Sequence, residues 1–234
     1  MADWSDDFND NARDVAKWEE LEVAGATADE VNQRLEVTVV ADSDQAQAGY
    51  VTTGTHSMVD SQVDIDVVEF NSLEEMMLHI GLTKTTNSDP WLEDDWYHVS
   101  RINYRGNGSN TLYIQRRVAG GSQTTQWTKS TVATGTLRIK VRGNTISFFD
   151  AGSLVYSEDY ALASKDCYIY LYTSCLESRN SGTDAFDDFS YAAAAGGFAW
   201  ATDVYPGASI DAADRNETKT NVGSVYTDLG KNWP

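Results

Sequence analysis

The sequence predicts an all-β fold, a two-sheet antiparallel sandwich of jelly-roll type followed by an irregular C-terminal arm. Three observations carry this. Apolar and polar side chains alternate in many short runs, the period at which a strand turns one face inward. The runs are rich in β-branched and aromatic residues and are separated by Gly, Asn and Asp turn signals. Helical periodicity is thin, and so many short strands at this spacing select a sandwich or barrel over an α/β fold.

Taken in order, Asp10–Glu20 has the composition of a helical turn or two, and Arg34–Val39 (RLEVTV) then alternates cleanly. Gln62–Val67 (QVDIDV) puts Val63, Ile65 and Val67 on one face and Asp64 and Asp66 on the other. Ser72–Ile80 has a helical composition but lies between strands, and MMLHIGL reads as a strand. Further strands are expected at Tyr97–Tyr104, Thr111–Arg117, Leu137–Arg142, Thr145–Phe149, Leu154–Ser157, Cys167–Tyr172 and Phe186–Tyr191. Turns fall at 105–110, Gly120-Gly121, 142–144 and 150–153. Periodicity fades after Tyr191, which divides the chain into a sandwich over 1–192 and an arm over 193–234. The arm keeps Phe198, Trp200, Tyr205, Tyr226 and Trp233, more aromatics than a disordered tail carries.

Composition narrows the partners. With 234 residues and 41% hydrophobic content the chain can bury a full core. A formal charge of −19 disfavours nucleic acid, whose phosphates need clustered Lys and Arg, and disfavours anionic membrane surfaces. No run approaches the roughly 18 apolar residues of a membrane-spanning helix. The start, MADWSDDFND, lacks the basic and apolar regions of a secretory signal. Cys167 and Cys175 would lie ~26 Å apart on a straight strand, too far for a bridge, so two buried thiols are expected.

Several segments resemble the concanavalin A-like (laminin G-like) jelly-roll domains: Asp6-Asp-Phe-Asn9, Trp18, Asn32-Gln-Arg-Leu-Glu-Val37, Gln62–Val67, the hairpin Thr136–Leu154 and the closing Phe186-Asp-Asp-Phe-Ser190. Their order over residues 3–192 is specific for the fold and not for an activity. The resemblance implies first and last strands that pair. That would bring Asp6 and Asp7 near Asp187 and Asp188, where hard oxygen ligands would hold a structural calcium ion; turn capping is the plainer role for the same residues. It also extends to virus particles. The main expectation is therefore a non-catalytic phage structural or decoration protein on the virion surface, docking other virion or self subunits through Phe198, Trp200, Tyr205, Tyr226 and Trp233.

The alternative is a carbohydrate-binding module of a polysaccharide-active system, extracellular or at a cell surface. Sugar faces stack on aromatic rings, and two places offer them: Trp91, Trp96 and Tyr97 amid carboxylates, and the row Tyr168, Tyr170 and Tyr172 on one strand face. Inter-sheet packing or an interface is the competing role for the tyrosine row. A third reading is a glycoside hydrolase. Asp64-Ile-Asp-Val-Val-Glu69 resembles the E-x-D-x-x-E strand of a glycanase family of this fold, provided a bulge at Val67–Val68 returns Glu69 to the face of Asp64 and Asp66. Asp64 stands where that family has Glu, and alternating Asp on a solvated strand gives the same letters. His56, His79 and His98 are scattered in sequence, His98 reads as a structural histidine, and no C-x-x-C or H-E-x-x-H spacing marks a zinc site.

Overall fold

The computed structural model describes residues 4–23, 25–40, 46–70, 76–86, 89–103, 110–131, 134–175 and 181–193. Among these the strands are β1 (Trp4–Asp6), β2 (Trp18–Val23), β3 (Ala26–Val31), β4 (Arg34–Val39), β5 (Gln47–Thr52), β6 (His56–Ser57), β7 (Gln62–Glu69) and β8 (Met76–Thr83). They continue with β9 (Trp96–Asn103), β10 (Asn110–Arg117), β11 (Thr124–Ser130), β12 (Gly135–Arg142), β13 (Thr145–Asp150), β14 (Ser153–Asp159), β15 (Asp166–Cys175) and β16 (Gly182–Ala192). A single 3-10 turn, Pro90–Leu92, interrupts them.

Two antiparallel sheets result. Sheet A runs β14-β13-β12-β7-β16-β4-β3, with β1 beside β16; sheet B runs β11-β10-β9-β8-β15-β5-β2, with β6 beside β15. The terminal strands pair as expected, Trp4 opposite Tyr191 and Asp6 opposite Phe189. Leu35, Val37, Val63, Ile65, Leu137 and Ile139 of sheet A meet Leu78, Ile80, Val99, Ile114, Ile169 and Leu171 of sheet B in one buried core. The described architecture is a jelly-roll sandwich, and it lies within the 1–192 segment; the arm aromatics Phe198, Trp200, Tyr205, Tyr226 and Trp233 lie outside the described residues.

The two sheets differ on their outer faces. In β4, β7 and β12 burial alternates residue by residue, so one face of sheet A is wet. In β5 and β8 every residue is buried, so the middle of sheet B is covered on both sides. The expected bulge is present: Glu69 stands opposite Ala185 and Val67 opposite Phe186, which leaves Val68 as the extra residue.

The helical turn anticipated over Asp10–Glu20 is not formed. A short turn at residues 15–17 leads straight into β2, because Trp18 is drawn fully into the core against Trp4 and Phe189, with ring centroids 4.9 and 5.0 Å away. Its indole N–H donates to Asp6 Oδ2 at 2.9 Å, which ties β2 to β1. Strands β2, β3, β5 and β11 are additions to the sequence reading. β5 holds Gly49 where a Cβ would lie 2.0 Å from the Leu171 carbonyl oxygen, so only glycine lets β5 reach β15 there. Cys167 and Cys175 are buried thiols on β15.

A buried ion pair crosses the core. Arg101 of β9 points between the sheets with none of its surface exposed, and its Nη2 donates to Asp150 Oδ1 of β13 at 2.7 Å and to the Gly135 carbonyl at 3.2 Å. Thr131 donates to the other oxygen of Asp150. Removing one member of a buried ion pair strands the other charge, a loss of about 3–5 kcal/mol. Asp150→Ala is therefore expected to lower the unfolding free energy by that order, read from urea denaturation; a change under about 1 kcal/mol would mean that the guanidinium finds other partners.

Candidate functional site

Residues 89–96 and the hairpin 117–123 form the two walls of a cleft at the rim of sheet B. Asp89 caps the 3-10 turn, its Oδ1 accepting from Trp91 N at 2.9 Å, and Pro90 occupies the first turn position, where its missing N–H costs nothing. Opposite, Ala119 and Gly120 turn the chain with positive φ of 50° and 67°. The walls are stitched together: Asp95 Oδ1 accepts from Ala119 N at 2.6 Å, Gly120 N donates to the Asp94 carbonyl at 2.9 Å, and Arg117 Nη1 donates to the carbonyls of Trp91 and Glu93. The cleft encloses about 420 Å³ and is lined by Trp91, Trp96, Arg117, Gly120–Gly121, Ser122 and Gln123.

Beneath the cleft the outer face of sheet B carries stacked rings. Trp96 stacks on His98 at 4.1 Å, and Tyr172 on His79 at 4.3 Å. Trp91 stands nearly perpendicular to His79, His98 and Trp96, with centroids 5.1, 4.9 and 5.4 Å away. Gly81 makes room for this, since a Cβ there would come within 2.8 Å of the His98 ring. The ring nitrogens are matched: His79 lies between the Ser100 hydroxyl and the Ser174 hydroxyl, at 2.5 and 2.9 Å, and His98 Nδ1 meets the Tyr172 hydroxyl at 2.9 Å. His79 and His98, far apart in sequence, are thus neighbours, brought together by β8–β9 pairing. Their separation along the chain concealed this.

The aromatic candidates part company. Trp91 is half-buried at the mouth of the cleft, and Trp96 forms part of its wall. Tyr97 faces the opposite way, into the core against Phe148 and Tyr160, and burial pushes its hydroxyl up to about 12. Tyr170 and Tyr172 have no exposed surface and cluster with Leu21 and Val51, with Tyr168 partly buried beside them. Packing occupies the tyrosine row, because sheet B is covered on both faces, and neither Tyr170 nor Tyr172 is presented to a ligand. Trp96 and Arg117 face each other across β9 and β10, which places the guanidinium in the cleft, a residue the sequence alone did not single out.

The carboxylates of β7 lie on the other side of the molecule, on the wet face of sheet A. The bulge sets Glu69 on the face of Asp64 and Asp66, yet all three are engaged. Asp64 Oδ1 pairs with Arg138 Nε at 2.5 Å and its Oδ2 accepts from Gln62, Asp66 accepts from Thr136, and Glu69 pairs with Arg34 at 2.6 Å.

Asp6, Asp7 and Asp188 line a second cavity of about 500 Å³, together with Asp10, Asp14 and Lys17. Both oxygens of Asp6 are taken, by Phe8 N and by the Trp18 indole, and the Lys17 ammonium sits 3.4 Å from Asp6 Oδ2. Asp187 Oδ1 accepts from Asp188 N, and partial burial followed by Asp188, Asp7 and Asp66 raises its pKa. Among the described residues no group of three or more His, Cys, Asp or Glu is arranged to hold a metal ion.

The chain has the concanavalin A-like jelly-roll fold, and solved structures it resembles include glycan hydrolases. The catalytic domain of an endo-1,3-β-glucanase (laminarinase) from Thermotoga petrophila aligns with a TM-score of 0.62 and 11% identity, over 82% of this chain and 97% of that one. Bacillus licheniformis β-glucanase aligns at 0.61 and 10%, over 82% and 98%. A glycoside hydrolase family 16 endo-glucanase from Bacteroides ovatus aligns at 0.58 and 9%, over 81% and 99%. No family model and no curated protein matches the sequence. These neighbours overturn two expectations, a phage decoration protein and a chain without enzymatic activity: the sandwich is shared nearly end to end with polysaccharide-cleaving catalytic domains.

The buried histidines make stability pH-dependent. Burial holds His98 down at about 3, and burial followed by the neighbouring His98 holds His79 well below its ordinary value. In the unfolded chain both protonate near 6.5, so between that pH and about 3 the unfolded state binds more protons and stability falls as pH falls. Glu30 has the opposite sign. It is 5% exposed, its Oε1 has no partner, and burial followed by Asp6 and Asp10 raises its pKa to about 7. Its contribution is therefore full below its unfolded value near 4.5 and lost as pH rises through 7. In melting scans from pH 3 to 8, His98→Phe should flatten the acid limb and Glu30→Gln the loss towards neutrality; slopes unchanged by both variants would refute the assignment.

Proposed function

We propose that this protein is polysaccharide-active and grips a glycan chain in the Trp91 cleft. The observation that carries the proposal is the half-buried Trp91 ring at the mouth of a cleft whose walls are cross-tied and whose floor is a rigid ring stack. Such a ring offers an apolar platform to a sugar face at little entropic cost, since its surroundings are already ordered. The glucan hydrolases that share the fold support glycan as the ligand class. Trp91→Ala should weaken retardation in affinity gels containing laminarin or mixed-linkage β-glucan at least tenfold without lowering the melting temperature by more than a few degrees. Retardation unaffected by Trp91→Ala would remove the cleft from the site.

Hydrolysis by β7 is a second reading, and the bulge at Val68 favours it specifically. Two carboxyl groups on one strand face are what retaining cleavage of a glycosidic bond requires, one as nucleophile and one as acid and then base. Substrate would have to displace Arg138 from Asp64 and Arg34 from Glu69. Because the cleft and β7 lie on opposite faces, the two readings are tested independently. Under the second, Glu69→Gln and Asp64→Asn each cut reducing-sugar release by at least about 100-fold. Release that survives both variants, or none from the parent protein on these glucans, would end the role of β7.

A further inference from the structure

We infer that the Trp91 cleft selects uncharged glycans and rejects carboxylated or sulfated ones, an inference that rests on the recognition site proposed above. Among the described residues, the cleft lining includes a buried hydrogen-bonding group without a partner, and its one cation is committed to the protein. Trp96 has no exposed surface, lines the cleft, and its indole Nε1 donates to nothing. A buried donor left in this state is uncommon in folded proteins, and a sugar hydroxyl, which can accept from it, is a ligand group that satisfies it.

Among the described residues the one cation lining the cleft, Arg117, is already committed. Arg117 Nε donates to the Gly121 carbonyl at 2.8 Å, Nη1 to Trp91 and Glu93 at 3.3 and 3.2 Å, and Nη2 to Gly120 at 3.5 Å. Its fork therefore braces the hairpin and presents no pair of N–H groups to a carboxylate or sulfate. The surrounding charge is negative. Glu93, Asp94 and Asp95 follow Trp91 after Leu92, Asp94 Oδ1 lies 3.1 Å from where a Cβ on Gly120 would be, and Lys84 is drawn to Asp95 at 3.8 Å. An anionic sugar entering this cleft meets repulsion at short range and, at long range, a chain of net charge −19.

The test compares laminarin with carboxymethylated laminarin by titration calorimetry at low and high salt. Laminarin should bind with an affinity indifferent to salt. The carboxymethylated polymer should bind at least tenfold more weakly at low salt and recover part of the difference at high salt, where repulsion is screened. Trp96→Phe, which keeps a ring and deletes the N–H, should weaken laminarin binding by roughly tenfold. Equal or tighter binding of the anionic polymer at low salt, or laminarin affinity unmoved by Trp96→Phe, would overturn the inference while leaving glycan recognition standing. Binding of neither polymer would overturn the recognition site itself, and the selectivity with it.

Discussion

The organising constraint is that the middle of sheet B buries both of its faces while sheet A keeps one face wet. A strand covered on both sides cannot alternate apolar with charged residues, and a polar side chain it keeps is costly unless a partner inside the protein meets it. β8, β9 and β15 do this by pairing His79 with Ser100 and Ser174 and His98 with Tyr172, and by stacking each imidazole on a neighbouring ring. Both histidines are held neutral as a result, and a flat aromatic surface forms under the rim. Sheet A, with water on one side, uses ion pairs instead: Arg138 with Asp64 and Arg34 with Glu36 and Glu69. Exposed pairs of this kind contribute little each, so the wet face adds solubility and register more than stability.

The same asymmetry decides where a ligand has room. Over the middle of sheet B the space is filled by the protein's own rings, and on sheet A the outward groups are spent on one another. At the rim, where β9 begins and β10 ends, neither condition holds. There the 3-10 turn and the 117–123 hairpin rise above the sheet, and their cross-ties through Arg117 and Asp95 hold them apart at a fixed spacing. A cleft built this way is preorganised, and little ordering entropy remains to be lost on binding.

Much of the fold was legible wherever one strand face is wet. RLEVTV, QVDIDV and LRIKVR have clean period-two patterns, and they became β4, β7 and β12 of sheet A. Strands buried on both faces carry no such signal. MMLHIGLT has no charged residue to mark an outward face, and β5 contains a glycine that composition alone reads as a turn. β2 was obscured by Glu19, Glu20 and Glu22, whose helical composition outweighed the pull of Trp18 into the core. Of the site, Trp91 and Trp96 were visible as aromatics among carboxylates. Arg117 and the juxtaposition of His79 with His98 were not, because both depend on strand register, which no local pattern specifies.

Arg101 shows why register carries so much. A guanidinium in the interior is costly unless its partner arrives in a fixed place, and Asp150 arrives only if β13 packs over β9 with the observed offset. A slip of one residue in β9 would turn Arg101 outward and send His98 and Ser100 into the core, breaking the ion pair and the histidine network together. The alternative registers of β9 are thereby penalised twice, once on each face. The strand so fixed is also the one that places Trp96 in the cleft wall, so the buried charge on one side of β9 holds the ligand-facing ring on the other.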